Sequence, residues 1–187
     1  MQEHATSERR LANFLGALGL AVGDMVMDVA QEEGEGPSAS AAIIRIGKFP
    51  GQSIDFLSRA LPLSHSATVR IVDRLAELGL VLRERESEPD DERDRRTVAL
   101  YLTDEGETRY KAFLEQRYEK LLPLLSSLSP RQRTQFLAIA EKLLATLSTP
   151  DGAGRICRMC DAAACEADGC PVGHYPPELT PNVIPVQ

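Results

Sequence analysis

A mainly α fold with one small β-ribbon is expected for this chain, on three grounds. Apolar residues recur at helical period near both termini, three short helical segments follow one another between residues 41 and 77, and two β-friendly runs flank the polar stretch 87–96. The 187 residues, 43% hydrophobic and 26% charged, hold enough apolar material for one ordinary core. They exclude both a wholly disordered chain and a large multi-domain assembly.

The first helix is marked by Leu11, Phe14, Leu15, Leu18, Val22, Met25, Val26 and Val29, a single amphipathic stripe. Arg9 and Arg10 ahead of that stripe imitate an export signal, but Asn13, Asp24 and Asp28 interrupt the apolar run. Its longest uncharged stretch, Leu11 to Gly23, is short for a bilayer. No membrane partner is therefore expected, and the cytoplasm is the expected compartment. Glycine and proline at 34–37 break the helix, and Ser38 or Ser40 is expected to cap the next one. Helices are expected at Ala41–Phe49, Ser53–Leu61 and His65–Glu77, separated by Pro50-Gly51 and by Leu61-Pro62-Leu63-Ser64, with Gly79 just past the third.

Leu80–Arg85 and Thr97–Leu102 then form the ribbon, with Val98, Leu100 and Leu102 alternating with Thr97, Ala99 and Tyr101. Thr103 caps a long helix whose first turn is acidic and whose apolar face includes Tyr110, Phe113, Leu114, Leu121, Leu125 and Leu128; Pro123 is expected to kink it or end it early. Ser129-Pro130 opens a last helix through Phe136, Ala140, Leu143, Leu144 and Leu147. The two terminal stripes exceed what the small middle region can cover, so they are expected to bury each other in a homodimer. The organisation expected is 1–36, an N-terminal dimerisation helix; 37–102, a binding lobe; 103–149, C-terminal dimerisation helices; and 150–187, a cysteine-rich appendage with a proline-rich tail.

A net charge of −7 and a pI near 5.1 argue at first against a nucleic-acid partner. The distribution reverses that: residues 1–36 carry 2 basic and 7 acidic side chains and residues 151–187 carry 2 and 5, leaving the middle with 17 and 16. On the third short helix, Ala67, Ile71, Leu75 and Leu78 are spaced to pack inward. Ser66, Val69, Arg70, Asp73, Arg74 and Glu77 then face out. Arg70 and Arg74 are placed to fork onto guanine or phosphate, Val69 to touch a thymine methyl, and Ser64, His65 and Ser66 to receive a phosphate at the helix start. The bland alternative is a capped, solvated helix with two surface ion pairs. Histidines are only three, His4, His65 and His174, and neither a nucleophile–base pair nor a phosphate loop is evident, so an enzyme is not expected.

Leu63-Ser64, Arg70, Val72-Asp73-Arg74-Leu75, Gly79-Leu80-Val81, Arg83 or Arg85, Asp94-Arg95-Arg96, Leu102-Thr103 and Gly106 occur in an order that resembles the multiple-antibiotic-resistance regulator (MarR) family. The resemblance spans roughly residues 8–148. It implies a winged helix-turn-helix lobe with a small β-wing in a helical dimerisation frame. It also implies a homodimeric transcriptional regulator, a repressor in the main, on pseudo-palindromic double-stranded DNA, answering to a small-molecule effector, redox change or metal state. It further implies that Asp94 braces the wing through Arg96 while Arg93 or Arg95 reaches the minor groove. Two departures stand out: Ala67-Thr68-Val69 replaces a hydroxyl-rich Thr-Val-Thr, and Glu86, Glu88, Asp90, Asp91 and Glu92 make the wing unusually acidic.

Cys157, Cys160, Cys165 and Cys170 follow the pattern C-x2-C-x4-C-x4-C, with His174 four positions beyond. This is zinc-knuckle spacing with Cys in place of the knuckle's His, and four thiolates suit tetrahedral zinc. The Cys170-Pro171 ending also resembles ferredoxin motifs, which keeps an iron–sulfur cluster as the alternative, beside redox disulfides or no metal. Ile156, Met159 and Val172 are nearly the only large apolar residues here, so a metal is expected to order the segment. A zinc-knuckle RNA-binding or protein-interaction module on a helical scaffold is the competing function. Its weakness is that Tyr175 alone offers a stacking ring while acids outweigh Arg155 and Arg158.

Overall fold

The computed structural model describes residues 2–32, 36–85, 98–149, 153–166 and 169–172. Helix α1 (Gln2–Glu32) leads into α2 (Pro37–Lys48), the short strand β1 (Gln52–Ser53), α3 (Ile54–Ala60) and α4 (His65–Glu77). Strands β2 (Val81–Arg85) and β3 (Val98–Leu102) precede the long α5 (Asp104–Ser126) and α6 (Pro130–Leu147); two one-turn helices, α7 (Ala153–Ile156) and α8 (Ala163–Glu166), follow. The fold is mainly α with a small antiparallel sheet, as expected, but the sheet has three strands in the order β1-β3-β2. Gln52 pairs with Leu100 and Ser53 with Ala99, while β2 and β3 pair from Val81–Leu102 to Arg85–Val98.

Strand β1 escaped the sequence reading because it is two residues long. The turn before it needs Gly51 at φ +82, whose N–H donates to the Leu100 carbonyl at 2.9 Å. Its presence makes β3 the central strand. Ala99 and Leu100, which point to opposite faces of that strand, are both buried.

Local chemistry sets the helix boundaries. Ser53, Ser64, Thr103 and Ser129 each accept a backbone N–H at the start of α3, α4, α5 and α6, and Ser129 completes a capping box with Gln132. Helix α2 differs from expectation. It starts at Pro37 behind Gly36, at φ +80, with no side-chain cap. Ser40 is buried within it and donates to the Ala30 carbonyl at 3.2 Å, tying α2 to the end of α1. Pro123 does not end α5, which runs on to Ser126. A proline that close to a C-terminus costs only one late helical bond.

The core lies where α2, α3, α4, the sheet and the first half of α5 converge, around Ile44, Leu57, Leu61, Val72, Leu75, Leu100 and Phe113. Arg45 is 1% exposed within it, its guanidinium 4.4 Å from the Phe49 ring centre and 5.4 Å from that of Phe56. Helix α1 joins this core only through its last turns, where Val29 and Ala30 are fully buried and Glu32 pairs with Lys120 of α5 at 3.6 Å. Residues Ser7–Glu32 are long and apolar enough to cross a membrane by length and composition. The core helix of a soluble protein passes the same test.

Candidate nucleic-acid interface and thiol cluster

Helix α4 is packed between α3 and α2 on one side and β2 on the other, and its start is built by Ser64. The Ser64 hydroxyl accepts the Ala67 N–H at 3.2 Å and shares a 3.2 Å hydrogen bond with Ser66, while the Thr68 hydroxyl donates back to the Ser64 carbonyl at 3.1 Å. Thr68 can therefore be fully buried, its one polar group being satisfied. The inward stripe is Thr68, Val72 and Leu75: Leu75 is buried as expected, while Thr68 and Val72 stand one position beyond the expected Ala67 and Ile71. Leu78 caps the helix, 37% exposed, and Ala67 and Ile71 line an open groove of about 290 Å³ beside Ser38 and Ala39 of α2.

The outward set holds despite that rotation. Ser64, His65, Ser66, Arg70, Asp73, Arg74 and Glu77 are exposed and Val69 is half-buried. Arg70 and Arg74 form one wall of the groove. Arg74 pairs with Glu77 at 3.7 Å, both largely solvated, an interaction worth ~0–1 kcal/mol and easily exchanged for another anion. Asp73 is held differently, by Arg83 of β2 at 2.7 Å. That bridge ties α4 to the sheet and takes Asp73 out of competition for the arginines on the same face. Neither it nor buried Arg45 was readable from the sequence, since each depends on contacts between elements. Arg93, Arg95, Arg96 and Asp94, expected at the wing tip, lie outside the described residues, as does His174.

The junction from β3 into α5 locks the sheet onto α4. Thr103 donates its hydroxyl to the Gly79 carbonyl at 2.6 Å and its N–H to the Leu80 carbonyl at 3.1 Å, while Gly106 donates to the Thr103 hydroxyl at 3.0 Å. Gly79, at φ +71, is the left-handed residue expected after α4.

The cysteine segment is seated on the rest of the chain. Met159 enters the main core, α7 approaches α3 so closely that a Cβ on Gly154 would lie 3.1 Å from the Ala60 Cα, and the Tyr118 hydroxyl of α5 donates to Asp161 at 2.9 Å. Burial, then the Asp161 bond and charge, push the Tyr118 phenol up from 10.0 to about 12. Cys157 and Val172 are buried against Leu144, Ile156 and Cys160, and Ser148 donates to the Val172 carbonyl. All four cysteines are free thiols. Cys160 is lowered to about 6, first by the hydrogen bond from Cys157 and then by Arg117, Lys48 and Arg158; Cys157 is raised by that same bond and by burial. Among the described residues, no three His, Cys, Asp or Glu side chains stand in an arrangement that could hold a metal ion, so the expected four-thiolate shell is not formed as such.

Three helices, a small sheet against the third, and long terminal helices on either side make a winged helix-turn-helix lobe in a helical frame. Residues 36–94 match the model of the MarR family. Solved structures of that class share the fold. A MarR family protein from Bacillus stearothermophilus is similar at TM-score 0.64 and 24% identity, over 79% of this chain and 98% of its own. FabT from Streptococcus pneumoniae in complex with DNA is similar at 0.58 and 21%, over 75% and 96%. The Mycobacterium tuberculosis MarR family protein Rv2887, complexed with p-aminosalicylic acid, is similar at 0.53 and 21%, over 71% and 97%. No curated protein matches the chain in sequence.

Proposed function

We propose that this chain is a MarR-type transcriptional regulator, a cytoplasmic homodimer and not an enzyme, that binds double-stranded DNA by laying α4 in the major groove. The observation that carries this reading is the solvated face of α4. Arg70 and Arg74 stand on it one turn apart, Ser64, His65 and Ser66 mark its start, and Asp73 is drawn aside by Arg83. The guanidinium forks take base edges or phosphates, and the amides and hydroxyls at the helix start take a phosphate. On the MarR resemblance, Asp94 would brace the wing through Arg96 while Arg93 or Arg95 reaches the adjacent minor groove. FabT, bound to DNA on the same fold, supports the choice of partner.

Dimerisation is supported by what one chain leaves uncovered. Leu11, Phe14, Leu15, Leu18 and Leu20 on α1 are 49–72% exposed, and Phe136, Leu137, Ile139, Leu143 and Leu147 on α6 are 39–67% exposed. Apolar faces of that extent are buried by a second copy in a soluble protein. The same faces explain why α1 has membrane-spanning length. The adjoining turn, with Val29 and Ala30 in the core and Glu32 paired to Lys120, anchors the helix to the lobe rather than to a bilayer. Repression follows if the bound dimer occludes a promoter. An effector in the angle between lobe and frame then changes DNA affinity by favouring one lobe spacing, with a typical coupling of ~1–3 kcal/mol.

Footprinting on DNA selected from a random pool tests the reading. Two half-sites about one helical turn apart, roughly 34–36 Å, are expected. Arg70→Ala and Arg74→Ala are each expected to cost ~1–3 kcal/mol, with relaxed base preference where the lost contact is bidentate. Unchanged binding in both variants would refute α4 as the reading helix.

A further inference from the structure

The four cysteines have no part in the DNA-binding reading, and they sit on a seam. Met159 and α7 touch the winged lobe through its core and α3; Tyr118 and Leu144, with Ser148, touch the same segment from α5 and α6. Two turns bring the thiols together. In the first, the Cys160 N–H donates to the Cys157 carbonyl at 3.2 Å; in the second, Cys165 on α8 is followed by Gly169 at φ +83, which returns the chain to Cys170. The outcome places Cys157 Sγ 3.9 Å from Cys170 Sγ and against Cys160, with Cys165 within electrostatic reach of Cys160 and Cys170.

That spacing is informative. Metal–sulfur bonds of ~2.3 Å at tetrahedral angles give sulfur–sulfur edges of about 3.8 Å. A disulfide needs a separation of ~2.05 Å, and the four ligands of a [4Fe–4S] cluster each reach a different iron and stand farther apart. Three cations, Arg117, Lys48 and Arg158, surround Cys160 and offset the negative charge that four thiolates leave on a divalent ion.

We propose that Cys157, Cys160, Cys165 and Cys170 close as thiolates around a single zinc-class ion, and that this ion clasps the winged lobe to the terminal helices. As each metal–sulfur bond forms, the thiol releases its proton to solvent. The closing motion belongs chiefly to half-buried Cys165, since Cys170 already stands one sulfur–sulfur edge from Cys157 in the turn fixed by buried Cys157 and Met159. Since none of these contacts involves α4 or the wing, the proposal stands apart from the DNA-binding reading.

The test uses the full chain purified without oxygen, then stripped with chelator and titrated with Zn(II) or Co(II). Expected are about one equivalent of metal per chain and, with Co(II), thiolate-to-metal charge transfer with tetrahedral d–d bands. Cys165→Ser and Cys170→Ser, both outside the buried 157–160 turn, are each expected to lower occupancy below about a tenth of an equivalent with helical content retained. Loading is expected to slow amide exchange by at least about tenfold in α3 and at the end of α6. Four titrating thiols with less than about a tenth of an equivalent of metal would overturn the site. Iron with inorganic sulfide, or a Cys157–Cys170 disulfide, would overturn the single-ion assignment. Unchanged exchange in α3 and α6 on loading would overturn the clasp.

Discussion

Gly106→Ala tests the junction on which the position of the wing depends. A Cβ at this point would lie 2.1 Å from the Leu80 carbonyl oxygen, 3.1 Å from its carbon and 3.2 Å from the Leu102 Cβ. The obstacle is backbone, so no rotamer relieves it. The chain must part by about 1 Å, and the oxygen that has to move is the one accepting the Thr103 N–H at 3.1 Å. Overpacking costs ~1–3 kcal/mol and weakening that hydrogen bond ~1 kcal/mol, while alanine returns up to ~1 kcal/mol of helix propensity. The expected net loss is about 1–3 kcal/mol, a fall in Tm of roughly 2–12 °C at ~2–4 °C per kcal/mol for a chain of this size. Gly79→Ala is the control: nothing lies within 4 Å of its added Cβ, so only the strain at φ +71 is expected, about 1 kcal/mol. Scanning calorimetry and urea unfolding on both variants measure the difference. A Gly106→Ala Tm within about 2 °C of the parent, or above that of Gly79→Ala, would refute the close approach.

Two further outcomes are expected. Leu18→Glu on α1 and Ile139→Lys on α6 place charges in faces now 49% and 57% exposed, and sedimentation is expected to show dissociation or aggregation where the parent is dimeric; an unchanged dimer would exclude those faces from the interface. The Tyr118 phenol, raised from 10.0 to about 12 by burial and by Asp161, gives stability that is present below pH 10 and lost as pH rises toward 12; Tyr118→Phe is expected to flatten that part of the curve in urea unfolding.

The winged lobe was legible because its signals are local. Ser64 before an apolar stripe, Gly79 after it, Thr103 ahead of three carboxylates and Ser129-Pro130 each specify a boundary within a turn, and each stands where it was expected. What local pattern missed differs in kind. β1 is two residues recruited by the distant strand β3, while Thr68 enters the core because a carbonyl one turn back takes its proton, and the cap of α2 is a glycine with no side chain to read. The first needs a partner far along the chain; the other two are local but leave no apolar or capping pattern. The exposed face of α4 survived the rotation of its stripe because Arg70, Asp73, Arg74 and Glu77 cluster broadly, and a shift of one position leaves such a face outward.

For the cysteines the order of legibility is reversed. Their spacing is plain in the sequence, yet for want of apolar residues the segment was expected to depend on a metal for its order. Met159 alone changes that, since one long side chain in the main core fixes the middle of the C-x2-C turn. Tyr118, Leu144 and Ser148 then hold the segment from two helices whose outer faces are the expected dimer surface. A force on the thiols is therefore transmitted to α3 on one side and to α5 and α6 on the other. α3 packs against α4, and in the proposed dimer α5 and α6 would set where the second lobe stands. On that proposal, a change in thiolate ligation would act on the distance between the two α4 helices without touching either, and DNA with half-sites one helical turn apart would be the ligand most sensitive to it.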